Sequence, residues 1–159
     1  SNAMFDALAD GDVVALDGPY GHAHHRAEVE RDVVLIAGGS GIGPIVSIAR
    51  AALAATPRRR ISVFEGARTR ADLAFATLLG GSVPAAIDHV PVLSAEPEGS
   101  GWTGARGFVH GEGERVLGER IAACEFYFAG PPPMIEALQD LLVLRRTVPV
   151  DRLHYDRFF

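Results

Sequence analysis

The sequence predicts an α/β fold: a doubly wound parallel sheet of five strands in the order 3-2-1-4-5. Short apolar segments alternate with helical segments about five times, which is typical of a parallel sheet with helices on both faces. Residues 33–37 are an uncharged, β-branched run, as expected of a strand buried on both faces. A glycine-rich loop follows the first strand and a proline-rich loop follows the fourth, and a helix begins after each loop. In the expected order these two strands are neighbours, at the point where the strand order reverses.

The composition is that of a compact domain. The chain has 159 residues, 48% of them hydrophobic, and 18 glycines, which suits one domain with a full core. Residues 1–3 resemble a tag remnant before Met4 and are not expected to belong to the fold. The net charge of −5 and the lack of a basic face argue against nucleic acid and anionic membrane as partners.

Residue usage narrows the chemistry further. All 15 basic residues are Arg, which excludes a Schiff-base lysine. The single cysteine, Cys124, excludes an intrachain disulfide framework and a cysteine-ligated iron–sulfur cluster. No apolar run has the length of roughly 20 residues that a membrane span needs. We therefore expect a cytoplasmic, reducing location.

The predicted elements follow one another along most of the chain. A strand at 12–16 stands before the alternating pattern and fits it poorly. The later strands are expected at 33–37, 61–65, 87–93, 125–129 and 150–155, and the helices at 70–79, 112–122, 134–145 and from Pro44 onward. Pro44 suits a first helical position, because its missing N–H would have no partner there.

A polar segment at 22–31 contains three histidines, His22, His24 and His25. They could belong to a metal site or to a solvated connector. The connector is favoured, because the three lie on one short loop and no second cluster of ligands accompanies them.

A glycine loop joins the first strand to its helix. Backbone N–H groups at a helix N-terminus favour phosphate, and glycines let the backbone approach a ligand closely. The dinucleotide fingerprint G-x-G-x-x-G is not met, because its third glycine position is occupied by Pro44. The candidate pyrophosphate-binding residues are Gly38, Gly39, Ser40, Gly41, Ile42, Gly43 and Pro44.

The break after the fourth strand lies in residues 129–133. Ligands of doubly wound sheets bind beyond the carboxyl ends of the strands at the reversal point, so we expect this break to face the glycine loop across one crevice. The sequence contains no evident Ser-His-Asp or paired-carboxylate arrangement, which disfavours acyl and glycosyl transfer.

Seven segments carry a family resemblance. They are GDVVALDGPYG (11–21), LIAGGSGIGP (35–44), FEGARTRADL (64–73), PVLSAEP (91–97), GWTGARGFV (101–109), FYFAGPPPM (126–134) and RLHYDRFF (152–159). In this order they resemble the NAD-binding domain of the ferredoxin reductase-like flavoproteins, above all the reductase components of bacterial aromatic-ring and diiron oxygenases. The resemblance implies that residues 4–31 are the end of a flavin-binding β-barrel and its connector, and that residues 32–159 are an NAD-binding domain.

The resemblance also implies roles for individual residues. The barrel's last strand would lie before a flavin-contacting turn made of Gly18, Pro19, Tyr20 and Gly21. The loop beside the nicotinamide would contain Ala129, Gly130, Pro131, Pro132 and Met134. Three C-terminal residues would lie at the flavin–nicotinamide contact and take part in catalysis: Tyr155, Asp156 and Phe158. The implied reaction is hydride transfer from NADH to FAD, followed by electron transfer to a ferredoxin or oxygenase component.

Two departures from the family pattern stand out. The family usually has Cys before the Gly-Pro-Pro run, whereas this chain has Ala129. Most of the flavin barrel is missing, so FAD is expected to be held mainly by a separate domain or subunit. The chain would then be either a piece of a longer protein or a short product that needs a partner.

Acidic residues bear on the choice between NADH and NADPH. Glu65, at the end of the second strand, has the position of the acidic residue that holds the ribose in dinucleotide-binding folds. The resemblance favours the segment after the third strand, with Ser94 and Glu96, because a carboxylate there would repel a 2′-phosphate. Arg68 would reach the adenosine end of the nucleotide, and its positive charge favours NADPH. The sequence predicts NADH.

Other readings of the chain stay open at this level. The first is a module that binds a nucleotide or a protein and carries out no redox chemistry, because the flavin domain is missing. The second is an electron-transfer subunit of a dehydrogenase, which the lack of a cysteine cluster disfavours. Trp102 and Phe108 are expected to anchor the core or a loop, with stacking on adenine as the alternative.

Overall fold

Six parallel strands form one sheet in the part of the chain that the structure describes. The structure is a computed structural model, and it describes residues 7–15, 17–18, 21, 23–55 and 59–157. The strands are β1 (Asp32–Gly38), β2 (Ile61–Ala67), β3 (Ile87–Leu93), β4 (Ala105–Arg106), β5 (Cys124–Gly130) and β6 (Leu153–Arg157). Their order is β4-β3-β2-β1-β5-β6, and every pairing is parallel.

This order confirms the predicted fold. The five predicted strands correspond to β1, β2, β3, β5 and β6, which keep the arrangement 3-2-1-4-5. The addition is β4, two residues that pair with Val92 and Leu93 at the edge of the sheet. A strand of two residues has no hydrophobic period, so the sequence pattern gave no indication of it.

Within the described residues four α-helices flank the sheet, and their bounds differ from the predicted ones. They are α1 (Ile42–Ala55), α2 (Phe75–Leu78), α3 (Val109–Leu117) and α4 (Pro132–Gln139). A 3₁₀ turn at Arg70–Asp72 replaces the start of the helix predicted at 70–79, a 3₁₀ segment at Gly118–Ala123 follows α3, and a π-helical segment at Asp140–Arg145 continues α4. The last strand begins at Leu153, after a 3₁₀ turn, and not at residue 150.

The strand β1 lies in the middle of the sheet and is buried on both faces, as predicted. Val33 and Leu35 pack against α1 on one face, in a cluster that includes Ile45 and Ala49. Val34 and Ile36 point to the other face, towards the cluster that holds residues of α3 and α4. The alternation places one apolar layer on each side of the sheet.

The N-terminal segment departs from the prediction. Residues 12–15 form no strand, although one was predicted at 12–16, and Leu16 lies outside the described residues. Val13 is 99% exposed. A strand is held by hydrogen bonds to a neighbouring strand, and no strand of the described residues pairs with this segment.

The histidine segment contains no metal centre within the described part of the chain, where no group of three or more His, Cys, Asp or Glu side chains is suitably placed. His22 lies outside that part. The described helices also include none whose length and apolar character would let it cross a membrane.

Candidate functional site

The two chain breaks predicted to face each other lie side by side. The strands that precede them are paired, with Ala37 opposite Ala129. A Cβ at Gly38 would lie 2.7 Å from Sδ of Met134 and 3.2 Å from Cδ of Pro131, so no larger residue fits there without movement. A Cβ at Gly41 would collide with the carbonyl of Ala129. The predicted juxtaposition is therefore confirmed, and glycine is what permits it.

A cleft of about 720 Å³ opens beside these breaks, at the carboxyl ends of β1, β2 and β3. Its floor and walls come from the ends of these strands, the start of α3 and the Pro-rich turn before α4. Among the residues predicted to bind the cofactor, those that line it are Gly38, Gly39, Ile42, Arg68, Ser94, Pro131 and Met134. The other predicted residues lie outside the lining: Ser40, Gly41, Gly43, Pro44, Glu96, Ala129, Gly130 and Pro132.

The start of α1 borders this cleft without a capping side chain. The 3₁₀ turn Gly39–Gly41 leads directly into α1, and it has no side-chain cap at its start. The first turn of α1 carries no acidic residue, and the helix begins at Ile42, two residues before the predicted start at Pro44. The N–H of Ile42 already bonds to the carbonyl of Gly39, so the N–H groups without helical partners are those of the turn itself, and they suit an anionic ligand at the cleft.

Phe108 has a different place from the one predicted. It is 68% exposed and lines the cleft, where its ring stacks on His110 at a centroid distance of 5.9 Å. It is therefore not a core anchor. Trp102 is a loop anchor as predicted, because its indole N–H donates to the carbonyl of Ala105 at 3.1 Å. Gly107, which precedes Phe108, adopts a φ of +106°, and this conformation sets the direction of the chain into α3.

Sequence reasoning missed a large part of the wall. The lining residues that it did not name as ligands are mostly small or apolar, and such residues carry no chemical signature. They include Gly66, Ala67, Asp72, Ala74, Val92, Gly107, Val109, His110 and Pro133. Their positions depend on where the loops after β2 and β3 run, which the sequence pattern does not fix.

Glu65 lies at the inner wall of the cleft and is only 3% exposed. One carboxylate oxygen accepts the backbone N–H groups of Ala74 and Phe75 at 2.6 and 3.0 Å, and the other contacts Nε2 of His89 at 3.0 Å. Burial acts against the charged form, but these hydrogen bonds outweigh it and hold the pKa of Glu65 below its usual range. The carboxylate is thus engaged within the protein, and a contact with ribose stays a prediction.

Glu96 is also engaged within the protein. Its carboxylate accepts the backbone N–H of Arg70 at 2.9 Å and pairs with Nε of the same residue at 3.1 Å. The backbone hydrogen bond, followed by the side-chain contacts, keeps the pKa of Glu96 below its usual range. Because Glu96 is buried and outside the cleft lining, its predicted role in nucleotide selection stays a prediction.

The residues predicted at the flavin contact lie on β6, which is separated from β1 by β5. The ring of Tyr155 stacks on Phe128 at 4.9 Å, and its hydroxyl accepts a hydrogen bond from Gln139 at 2.8 Å. A Cβ at Gly21 would lie 2.7 Å from the Asp156 carboxylate, so the predicted flavin-contacting turn ends beside β6. Gly18 is exposed. Phe158, Pro19 and Tyr20 lie outside the described residues.

Comparison with known families decides the membership of the chain. Residues 35–140 match the family described as the oxidoreductase NAD-binding domain. The chain belongs to this family. The match covers the glycine loop, the cleft and the Pro-rich turn, so the oxidoreductase NAD-binding domain is the unit that builds the site.

Individual relatives agree with this assignment. The chain is 36% identical over 155 residues to the reductase component of phenol 2-monooxygenase from Pseudomonas sp. strain CF600, covering 96% of this chain and 43% of that protein. It is 38% identical over 165 residues to the reductase subunit of an aromatic O-demethylase from an Amycolatopsis species, covering 98% of this chain and 46% of that protein. The chain therefore spans less than half the length of these curated relatives.

Solved structures show the same fold. The cytochrome P450 reductase of Amycolatopsis superposes with a TM-score of 0.78 at 34% identity, over 98% of this chain and 46% of that one. The ferredoxin reductase in carbazole 1,9a-dioxygenase superposes with a TM-score of 0.77 at 31% identity, over 86% of this chain and 40% of that one. The NAD-binding domain described here thus resembles one part of larger reductases.

Proposed function

We propose that this chain is the NADH-binding domain of an electron-transfer flavoprotein reductase. In this role it holds NADH so that a hydride passes to FAD and electrons pass on to an iron–sulfur or oxygenase partner. The observation that carries the proposal is the pair of adjacent chain breaks beside a cleft of about 720 Å³. A cleft of that size suits a cofactor-sized ligand.

The residues of the cleft fit a dinucleotide. The backbone of Gly38 and of the turn Gly39–Gly41, which has no side-chain cap, would hold the pyrophosphate, and the space beside Gly39 is open. Pro131 and Met134 would flank the nicotinamide, while Arg68 and Ser94 would border the adenosine end. The apolar wall would exclude water from the ring.

The cofactors would supply the redox chemistry, with bound NADH giving a hydride to FAD, which releases its electrons singly. The chain itself would bind and orient the nucleotide. Tyr155, Asp156 and Phe158 would border the flavin side, and the turn Gly18–Gly21 would reach the flavin from the N-terminal side. Ala129, which replaces the cysteine usual in the family, is fully buried, so it would act through packing against the glycine loop.

The remaining parts of the proposal rest on the relatives. The names of these relatives describe reductase components of oxygenase systems, which supports an acceptor that is a ferredoxin or an oxygenase component. One structural neighbour is described as a ferredoxin reductase in its FAD apo form, which supports a separate FAD-binding domain or subunit as the flavin partner. We propose a cytoplasmic location and a preference for NADH.

A titration of the purified chain with NADH and with NADPH, followed by addition of FAD, tests the proposal. We expect saturable NADH binding that is tighter than NADPH binding, and slow bleaching of the flavin absorbance when FAD and NADH are both present. Absence of binding to either nucleotide would overturn the proposal. Binding without any flavin reduction would support the alternative that the chain is a nucleotide-binding module without redox activity, which the buried Ala129 favours.

A further inference from the structure

A segment before β1 contacts β5 and β6, the two strands on one side of β1 in the sheet. We call residues 23–31 the connector strap. It begins two residues after Gly21, which lies beside Asp156 of β6, and ends where β1 starts. Within the strap the backbone N–H of Arg26 donates to the hydroxyl of Tyr127 on β5 at 3.1 Å. The strap therefore crosses β5 and β6 on its way to the centre of the sheet.

Two arginines of the strap clamp one buried pair. Nε of Arg26 donates to Nδ1 of His154 at 3.3 Å, and a guanidinium nitrogen of Arg31 donates to Oε2 of Glu125 at 3.2 Å. Between them, Nε2 of His154 lies 2.7 Å from Oε1 of Glu125. The side chains of Glu125 and His154 are 3% and 6% exposed. A carboxylate this deeply buried needs partners; Arg31 is one, and His154, which Arg26 contacts in turn, is the other.

The direction of these hydrogen bonds fixes the proton on His154. A guanidinium group donates hydrogen bonds and never accepts them. Nδ1 of His154 must therefore carry a lone pair towards Arg26, and the ring proton must sit on Nε2, where it is donated to Glu125. The arrangement exists only with a neutral imidazole in this tautomer.

We propose that His154 is a positioning residue that fastens the connector strap to the sheet only while its ring is neutral. A second proton, on Nδ1, would face the N–H of Arg26. The Arg26 hydrogen bond would then be lost, and two cations would stand side by side. Glu125 would keep its contacts with Arg31 and the ring, so the strap would open at Arg26 and stay attached at Arg31.

Other groups around the ring do not replace the lost contact. The Tyr127 ring lies 4.8 Å from His154, and its hydroxyl already accepts the Arg26 N–H. The ring of His25 lies 6.4 Å from the Tyr127 ring, and burial together with Arg59 lowers the pKa of His25. Glu28 is exposed. Among the described residues, the charged and titratable groups around the ring and its direct partners include Arg26, Arg31, Glu125, Tyr127, His25 and Glu28, with Arg59 beside His25 and Asp156 two residues along β6.

The strap links the segment before it to β6. If the proposed function holds, that segment leads from the flavin side of the enzyme, and the closed strap sets where it meets Tyr155 and Asp156. Protonation of His154 would then loosen the approach of flavin to nicotinamide without changing the cleft. The fastening itself depends on no bound nucleotide.

Nitrogen-15 NMR of the full chain at pH 8 and at pH 5 tests the proposal. At pH 8 we expect the His154 ring to show a protonated Nε2 and an unprotonated Nδ1. Between pH 8 and pH 5, we expect the protection of the Arg26 amide against hydrogen exchange to fall about tenfold or more, after correction for the intrinsic rate. The Val33 amide, which donates to Arg60, serves as the control and should stay protected.

The variant H154Q separates fastening from titration. Its amide oxygen can accept from Arg26 and its amide nitrogen can donate to Glu125, but it does not titrate. We expect the Arg26 amide to stay protected at both pH values in H154Q, and Val33 protection reports whether this variant folds. A proton on Nδ1 at pH 8, unchanged Arg26 protection at pH 5 in the wild type, or equal loss in a folded H154Q would each overturn the proposal. NADH titration of the same samples is a separate readout, whose failure would affect the proposed function alone.

Discussion

The carboxylate of Glu65 and the imidazole of His89 meet at 3.0 Å on the inner wall of the cleft. The ring of His89 also packs against Phe75 at a centroid distance of 5.0 Å. Because the same carboxylate accepts the N–H groups of Ala74 and Phe75, it ties β2, β3 and the start of α2 together. A residue that sequence reasoning placed on the ribose therefore also builds the wall that would surround it.

Replacing Glu65 with Gln should lower stability in a pH-dependent way. The folded-state pKa of Glu65 is depressed, so its contribution to stability is present above the unfolded pKa of about 4.3 and is lost as the pH falls through the folded pKa. We expect E65Q to lose about 1–3 kcal/mol of unfolding free energy at neutral pH, and the difference from wild type to shrink below about pH 4. Urea unfolding at both pH values measures it.

The control for this variant is Glu98→Gln, since Glu98 is exposed. Its unfolding free energy should stay within about 0.5 kcal/mol of wild type at either pH. Equal losses for E65Q and E98Q would contradict the structural role assigned to Glu65.

Gly41 and Gly43 form a matched pair in the glycine loop. A Cβ at Gly41 would collide with the Ala129 backbone, whereas a Cβ at Gly43 would meet nothing within 4 Å. We expect G41A to destabilise the chain by about 3 kcal/mol and G43A to stabilise it by about 0.5–1 kcal/mol, because Gly43 lies in α1 and alanine favours helix. Thermal unfolding of both variants checks this, and similar behaviour of the two would argue against the close approach of Gly41 to the Ala129 backbone.

Charge at Gly39 should control nucleotide binding. Gly39 has a φ of +54°, a conformation in which Asn and Asp are the best tolerated larger residues, and it opens into the cleft. G39D and G39N therefore have the same shape and backbone strain but differ by one negative charge. We expect the NADH dissociation constant of G39D to exceed that of G39N by about tenfold, because a carboxylate repels the pyrophosphate. Equal affinities by calorimetry would place the pyrophosphate elsewhere.

The contacts between Arg70 and Glu96 predict how the variant E96Q changes the relative affinity for NADH and NADPH. Direct selection by Glu96 would require that E96Q narrow the difference between NADH and NADPH affinity. The contacts with Arg70 favour the other outcome, in which E96Q lowers the melting temperature while the ratio of the two dissociation constants changes less than about threefold. Titration of wild type and E96Q with both nucleotides decides between the two, and a larger change in the ratio would restore the direct role.

Cys124 should be inert in the folded chain. Burial, together with the nearby Asp32 carboxylate, raises the pKa of the thiol to about 11, and Sγ donates to the carbonyl of Arg120 at 3.2 Å. The thiolate is the reactive form, so we expect labelling by a disulfide reagent at pH 8 to be at least about a hundredfold slower than in denaturant. Rapid labelling of the native chain would show that β5 opens at its start.

The structure of the centre of the molecule could be predicted from the sequence. A β-branched run, a glycine loop and an apolar helix each have a local signature, and the rule for parallel sheets joins them. That the glycine loop at 38–43 meets the chain break at 129–133 followed from strand order alone. These features were predictable because each depends on short-range chemistry and a single topological rule.

The outer wall of the cleft was not predictable in the same way. Phe108 reaches the cleft because β4 and Gly107 turn the chain into α3, and two paired residues leave no periodic signal. Glu96 and Arg70 lie 26 residues apart, and their pairing depends on how two loops pack. Side-chain partners of this kind arise from tertiary packing, so a carboxylate that looks free in the sequence can be fully engaged in the fold.

The edge strand β4 affects whether this edge of the sheet can pair with a strand of another molecule in concentrated solution. It pairs with the last two residues of β3, and the Arg106 guanidinium donates to the carbonyls of Glu96 and Pro97, which holds β4 in place. The uncovered remainder of β3 contains Pro91, which has no N–H to offer, and the exposed Asp88. An incoming strand would meet a missing donor and a charge along this border. The border is thus a poor template for cross-β growth, even in concentrated solutions.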